Sequence, residues 1–207
     1  MQKTGLSKTF YIIRHGETDF NRMNIVQGSG VDTSLNETGR AQARRFFDTY
    51  RQHPFDKVYT SALRRSIESV QGFIDLGIRH EKLPELNEIS WGDFEGKTQT
   101  AAQKAMYVET VGKWNAGDFD AMIPNGESPL QMQARQKIAI RRILDNPDEK
   151  QVLVCMHGRA MKSFLCLLLE EPLTKMEDFQ HRNLCLYKLN YAGGKFALIS
   201  ANDIAHL

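Results

Sequence analysis

Two apolar runs in this 207-residue chain stop on the same pair of residues. Thr9-Phe10-Tyr11-Ile12-Ile13 ends at Arg14-His15-Gly16, and Gln151-Val152-Leu153-Val154-Cys155-Met156 ends at His157-Gly158. An imidazole can act as nucleophile or proton carrier near neutral pH. A guanidinium presents a fork of donors matched to phosphate oxygens. A third cationic step, Arg64-Arg65, follows Ser61 just beyond a short strand pattern at Lys57-Val58-Tyr59-Thr60. If these strands lie in one parallel sheet, Arg14, His15, Arg65 and His157 converge from three strand tips on the crevice where α/β proteins bind ligands. Two cationic forks and two imidazoles suit a tetrahedral dianion. A metal fits the set poorly, because two arginines repel a cation and no H-x-E or H-E-x-x-H spacing occurs. An isolated Arg-His pair reads as ordinary surface; its recurrence at further tips is what argues for a pocket. Glu85, Glu88, Asp93 and Glu95, set among aromatic residues and glycines, are the carboxylates available as a general acid.

These residues need elements to hold them. Glu17 to Ser34 reads as a long polar loop; its Gly28-Ser29-Gly30 neither follows a strand nor opens a helix, and no G-x-x-x-x-G-K-[ST] exists, so nucleotide fingerprints are out. Asn36 caps a helix to about Arg51, with Ala43, Phe46, Phe47 and Tyr50 on one core-facing stripe. Ser61 is placed to cap the helix that carries Arg64 and Arg65, one of which belongs to a solvated face. Gly77 to Leu83 leads into another strand. Residues 97–126, polar with scattered Met106, Tyr107, Trp114, Phe119 and Met122, read as a partly helical excursion that would form a lid. A long helix is expected over Leu130 to Leu144, another from Gly158, and a hairpin from Leu184 to Leu189 and Phe196 to Ser200 around Asn190 to Gly194. Alternation of strands and helices predicts an α/β fold: a three-layer α/β/α sandwich with a mixed, mainly parallel sheet, in one domain over 1–207.

Lys+Arg 27 against Asp+Glu 25 leaves a net charge of +2, with arginine pairs scattered, so neither nucleic acid nor an anionic membrane is indicated as partner. Cys155, Cys166 and Cys185 lie in apolar segments without C-x-x-C spacing, which predicts buried thiols in a reducing compartment. Met1 to Leu6 lacks the apolar run of a leader, and no segment has the length of a membrane span; the expectation is a cytoplasmic protein.

Arg14-His15-Gly16-Glu17-Thr18 with Asn21 resembles the signature of the histidine phosphatase superfamily, the phosphoglycerate mutase-like proteins. The resemblance runs on through Gln27-Gly28, Asp32, Leu35, Gly39, Gln42-Ala43, Ser61-Ala62-Leu63-Arg64-Arg65, Leu86-Asn87-Glu88, Gly92, Glu95-Gly96, Gly126-Glu127-Ser128, His157-Gly158 and Asn183. It implies His15 as phosphorylated nucleophile, Glu88 as proton donor, and Arg14, Arg65 and His157 as a phosphate clamp. Asn21, Gln27 and Gly28 would assist in binding, with no metal or organic cofactor. Phe20 stands where relatives often have Trp, Ile25 where many have Arg, and Ala62 where Pro is frequent. The implied activity is hydrolysis of a small phosphate monoester. A phosphoglycerate mutase is the alternative, but residues 97–126 contain no Arg and the chain stops at Leu207 without the mutases' tail. A non-catalytic binding module would have lost His15, Arg65, Glu88 or His157. Ser90 near the acid, where phosphoserine-specific relatives tend to have His, weighs against that substrate. The oligomeric state is unreadable from the sequence.

Overall fold

The computed structural model describes residues 6–207, so the reading of Met1 to Leu6 falls, but for Leu6, outside the described residues. Strands β1 (Ser7–Arg14), β2 (Lys57–Thr60), β3 (His80–Lys82), β4 (Gln151–Met156), β5 (Leu186–Ala192) and β6 (Lys195–Asp203) form one sheet in the order β3-β2-β4-β1-β5-β6. β3, β2, β4 and β1 run parallel; β5 and β6 join antiparallel. The helices are α1 (Asp19–Arg22), α2 (Glu37–Tyr50), α3 (Arg64–Glu68), α4 (Gln71–Asp75), α5 (Ala101–Asn115), α6 (Pro129–Leu144) and α7 (Gly158–Leu168).

The central strands are apolar at consecutive positions because both sheet faces are covered. On one face Phe10, Ile12, Val152, Val154 and Met156 pack with Met132, Ile140 and Ile143 of α6 and with Met161 and Phe164 of α7. On the other, Tyr11, Ile13, Leu153 and Cys155 pack with Phe46 of α2 and Phe73 of α4. This is the three-layer sandwich, and the expected α2 stripe faces inward, with Phe46 fully buried and Phe47 and Tyr50 against the same cluster. α2 leaves β1 over one face and α7 leaves β4 over the other, which opens a crevice at the carboxyl tips of these adjacent strands. All three cysteines are buried free thiols.

Local chemistry sets the boundaries. Asn36 accepts from Gly39 N at 2.8 Å to start α2, and Ser128 with Gln131 forms a reciprocal cap on α6 behind Pro129. The hairpin is tighter than the five-residue turn expected: β5 runs to Ala192, and only Gly193 (φ +59°) and Gly194 (φ +85°) turn, the paired positive φ of a type I′ connection. The loop after His15 also holds a short helix: Thr18 and Asn21 cap each other across α1, a box with Asn in place of the usual Glu or Gln. Ser61 does not cap α3. Its Oγ accepts from Leu63 N at 3.1 Å, and Arg64 N, in the first turn, donates instead to Asp32 Oδ1 at 2.7 Å from the neighbouring loop. No helix among the described residues is long and apolar enough to cross a membrane.

Candidate active site

Parallel register brings the chemistry together. Arg14 pairs with Met156, so His15 and His157 leave neighbouring strands at one level, and Thr60 beside Cys155 brings Ser61 to the same edge. The two imidazoles stand with ring centroids 5.1 Å apart. Both are almost wholly buried.

The tautomer of His15 follows from its partner. Nδ1 lies 2.7 Å from the carbonyl oxygen of Gly16, which can only accept, so Nδ1 carries the proton and Nε2 keeps its lone pair. Burial, with Arg65 and Arg14 nearby, holds the His15 pKa well below its ordinary value, so the ring is neutral. His157 is held neutral for the same reasons, burial first and then Arg65. Its Nδ1 accepts from Arg65 Nε at 3.2 Å, which puts its own proton on Nε2, 2.7 Å from Ser61 Oγ.

Arg65 is fully buried, whereas Arg64 lies exposed. Its guanidinium donates to His157, to Val31 O at 2.6 Å and to Gly28 O at 3.1 Å. Burial lowers its pKa to about 10, against the opposing charge of Glu88, and it remains a cation at neutral pH. Arg14 donates through Nη1 to His181 Nδ1 at 3.2 Å, while its buried Nε has no partner. Burial pushes the His181 pKa down to about 3, with Arg14 adding to the effect.

Glu88 uses the free end of α7. Arg159 N donates to Oε2 at 3.0 Å, and Ala160 N and Ile89 N donate to Oε1 at 2.7 and 2.9 Å. The first amides of a helix lack internal acceptors, and this carboxylate supplies them. Oε2, with one donor against two on Oε1, has the greater capacity left for a proton. Arg135 of α6 holds the segment from beneath: its guanidinium donates to the carbonyls of Glu85, Asn87 and Glu88 at 2.7, 2.8 and 3.1 Å and to both Glu127 oxygens. Ala62 N donates to Asn87 Oδ1 at 2.9 Å, a bond that a proline there could not make. The other carboxylates face elsewhere: Asp93 accepts from Asn125, and Glu95 from Trp91 N and Gly30 N.

Asn21 Oδ1 accepts from Thr18 N and from Asn183 Nδ2, which also donates to His15 O at 3.0 Å. Gln27 bridges Thr18 Oγ1 and Thr33 Oγ1. Gly28 must stay bare, since a Cβ there would sit 2.6 Å from the backbone carbonyl oxygen of Ile89. Arg14, His15, Arg65, Glu88 and His157 thus cluster at the strand tips, with Asn21, Gln27 and Gly28 on the loop beside them. Arg135 and His181 were not singled out in the sequence; nothing local distinguishes them from surface residues. Among the described residues no group of three or more His, Cys, Asp or Glu side chains is arranged to hold a metal ion.

Three depressed imidazoles make folding acid-sensitive. Below pH 6.5 the unfolded chain takes up protons that folded His15, His157 and His181 refuse, so stability is lost as pH falls. For His15 and His157 the loss approaches about 1.4 kcal/mol each per pH unit. Melting temperature is expected to drop by several degrees between pH 6.5 and 5.5, at about 2–4 °C per kcal/mol. His181→Asn should flatten the curve; a melting temperature constant over that interval would contradict the neutral imidazoles.

The chain is similar to known proteins over nearly its whole length. The family model of the histidine phosphatase superfamily (branch 1) matches residues 10–204. Phosphoglycerate mutase-like protein 4 of Arabidopsis thaliana is 28% identical over 200 residues, covering 95% of this chain and 85% of its own. YhfR of Bacillus stearothermophilus superposes with a TM-score of 0.85 at 25% identity, over 96% of this chain and 98% of that one. The α-ribazole phosphatase of Shigella flexneri gives 0.83 at 24%, over 94% and 96%, a likeness of fold. The chain belongs to the histidine phosphatase superfamily, and its class of enzyme is that of the phosphoric monoester hydrolases.

Proposed function

We propose that this chain hydrolyses a small phosphate monoester without a metal ion, passing the phosphoryl group through Nε2 of His15. The observation that carries the reading is the His15 Nδ1–Gly16 O bond, which leaves a neutral imidazole with its lone pair on Nε2 near the guanidiniums of Arg65 and Arg14. The Nε2 pair attacks phosphorus as the P–O bond to the leaving alcohol breaks. Arg14 and Arg65 neutralise the charge that spreads over the equatorial oxygens. Glu88 gives its proton to the departing alkoxide. As carboxylate it then takes a proton from the water that attacks the phosphohistidine, releasing inorganic phosphate and restoring His15. His157 completes the clamp by holding the Arg65 Nε; to donate directly to phosphate, its Nε2–H would leave Ser61. Asn21, Gln27 and Gly28 shape the rim.

The chain 1–207 works as one domain in this reading, with residues 97–126 as a lid-like excursion. Tyr107 of α5 lies 5.1 Å, ring to ring, from Trp91, and its hydroxyl meets, at 3.3 Å, Nη2 of Arg159, the residue whose backbone amide binds Glu88.

Turnover in a chelator tests the metal-free part. Undiminished phosphate release from a panel of monoesters is expected; loss of activity restored by a divalent ion would contradict it. The relatives' names include a mutase-like protein, but the absence of Arg from residues 97–126 favours hydrolysis. Bisphosphate-primed conversion of 3- to 2-phosphoglycerate outrunning phosphate release would reverse that choice. Arg135→Met, which removes the fork under the Glu88 segment, should lower kcat for an alkyl phosphate by about tenfold or more with KM little changed. An unchanged kcat would show that Glu88 needs no such support.

A further inference from the structure

A cavity of about 420 Å³ is lined by Asn24, Ile25, Gln27, Trp91, Gln99 and Tyr107 together with Val26. That volume lies in the range of sites for small organic ligands. Two of its lining residues are linked to the catalytic groups. Gln27 precedes Gly28, whose carbonyl holds Arg65. Tyr107 accepts from Arg159, whose backbone amide holds Glu88.

Every lining side chain is uncharged. Arg159, behind Tyr107, shares the carboxylate of Glu177 with Lys162; that carboxyl is held at about 2, because burial pushes it up but the ion pairs with Lys162 and Arg159 outweigh that. The Trp91 and Tyr107 rings, tilted 48° to each other, offer apolar faces. Ile25 adds an aliphatic wall. One polar atom is unsatisfied: Gln99 Nε2 is buried with no hydrogen-bond partner. A buried donor left unpaired is costly, so the natural occupant of the cavity is a group that accepts from it. A carboxylate entering the same space would shed its water with no cation in the lining to receive it.

We infer that this cavity selects an uncharged, ring-bearing leaving group that presents a hydrogen-bond acceptor to Gln99, and discriminates against one bearing a carboxylate. The inference rests on the hydrolase reading above and adds the substrate class to it.

The test compares 4-(carboxymethyl)phenyl phosphate with its methyl ester. The methylene insulates the phenol, so the two leaving groups are nearly alike in acidity and differ in charge. Phenyl phosphate serves as the reference for hydrolysis itself. In the wild type, kcat/KM for the ester should exceed that for the carboxylate by about tenfold or more, mainly through KM. Ile25→Arg, which sets a cation in the lining, should narrow or invert that ratio. Gln99→Leu should erase the advantage of the ester over phenyl phosphate. Equal or reversed preference in the wild type would overturn the inference while phenyl phosphate turnover left the hydrolase reading standing. An ester advantage over phenyl phosphate that survives Gln99→Leu would overturn the role of the Gln99 donor. Absence of phenyl phosphate hydrolysis would overturn the hydrolase reading and the inference with it.

Discussion

His15→Ala is expected to lower phosphate release by at least ~10⁴-fold, because no other side chain in the pocket can take over as nucleophile. His157 has both ring nitrogens engaged, one with Arg65 and one with Ser61. His181 accepts from Arg14 on Nδ1, so that lone pair is occupied. The variant should still fold, since the side chain donates only to the carbonyl of its own neighbour, Gly16. It should also still bind phosphate, because Arg14 and Arg65 hold their positions through other partners. A thermal melt and a phosphate titration beside the rate separate loss of the nucleophile from loss of the fold. Residual activity within tenfold of the wild type would remove His15 from the role.

Glu88→Gln should divide substrates by leaving group. General acid catalysis contributes typically ~10²–10⁴-fold, so an alkyl phosphate, whose alkoxide leaves badly without a proton, should lose most of that range. p-Nitrophenyl phosphate leaves readily unprotonated, and its phosphorylation step should suffer far less. Its turnover can then become limited by hydrolysis of the phosphoenzyme, seen as a burst of nitrophenol. Gln keeps the acceptor oxygen for one of the α7 amides, so the helix end stays partly capped. Glu85→Gln is the control, because Glu85 lies in the same segment while only its backbone carbonyl meets Arg135. Equal losses for both substrates in Glu88→Gln, or a selective loss in Glu85→Gln, would assign the acid to the wrong carboxylate.

The sheet could be read from the chain because its central strands are apolar at consecutive positions and end abruptly on His-Gly. The convergence of Arg14, His15, Arg65 and His157 followed from placing those tips in one parallel sheet. Composition alone left four carboxylates open, and the resemblance singled out Glu88; the structure places that one on the amides of α7. Longer-range partners were not legible. Arg135 shares α6 with Arg141 and Arg142 and has the same local signature, yet only its guanidinium meets the Glu85–Glu88 carbonyls. That depends on the path of a segment some 50 residues away in sequence. His181 lies in an irregular stretch with no periodicity to place it. Ser61 misled because a serine before a helix usually caps it; here its hydroxyl serves His157, and Asp32 from another loop supplies the cap. Tertiary hydrogen bonds overrode a local rule at the point where the pocket is built.

The central claim, that phosphoryl transfer passes through Nε2 of His15, is tested most directly by where the phosphoryl group rests during turnover. The enzyme would be mixed with ³²P-labelled substrate, quenched in base within one turnover and digested for peptide and isomer analysis. The expected result is an acid-labile, base-stable label on His15 alone, attached at Nε2, the nitrogen that the Gly16 bond leaves unprotonated. Label on Nδ1, on His157 or His181, or on a carboxylate would contradict it.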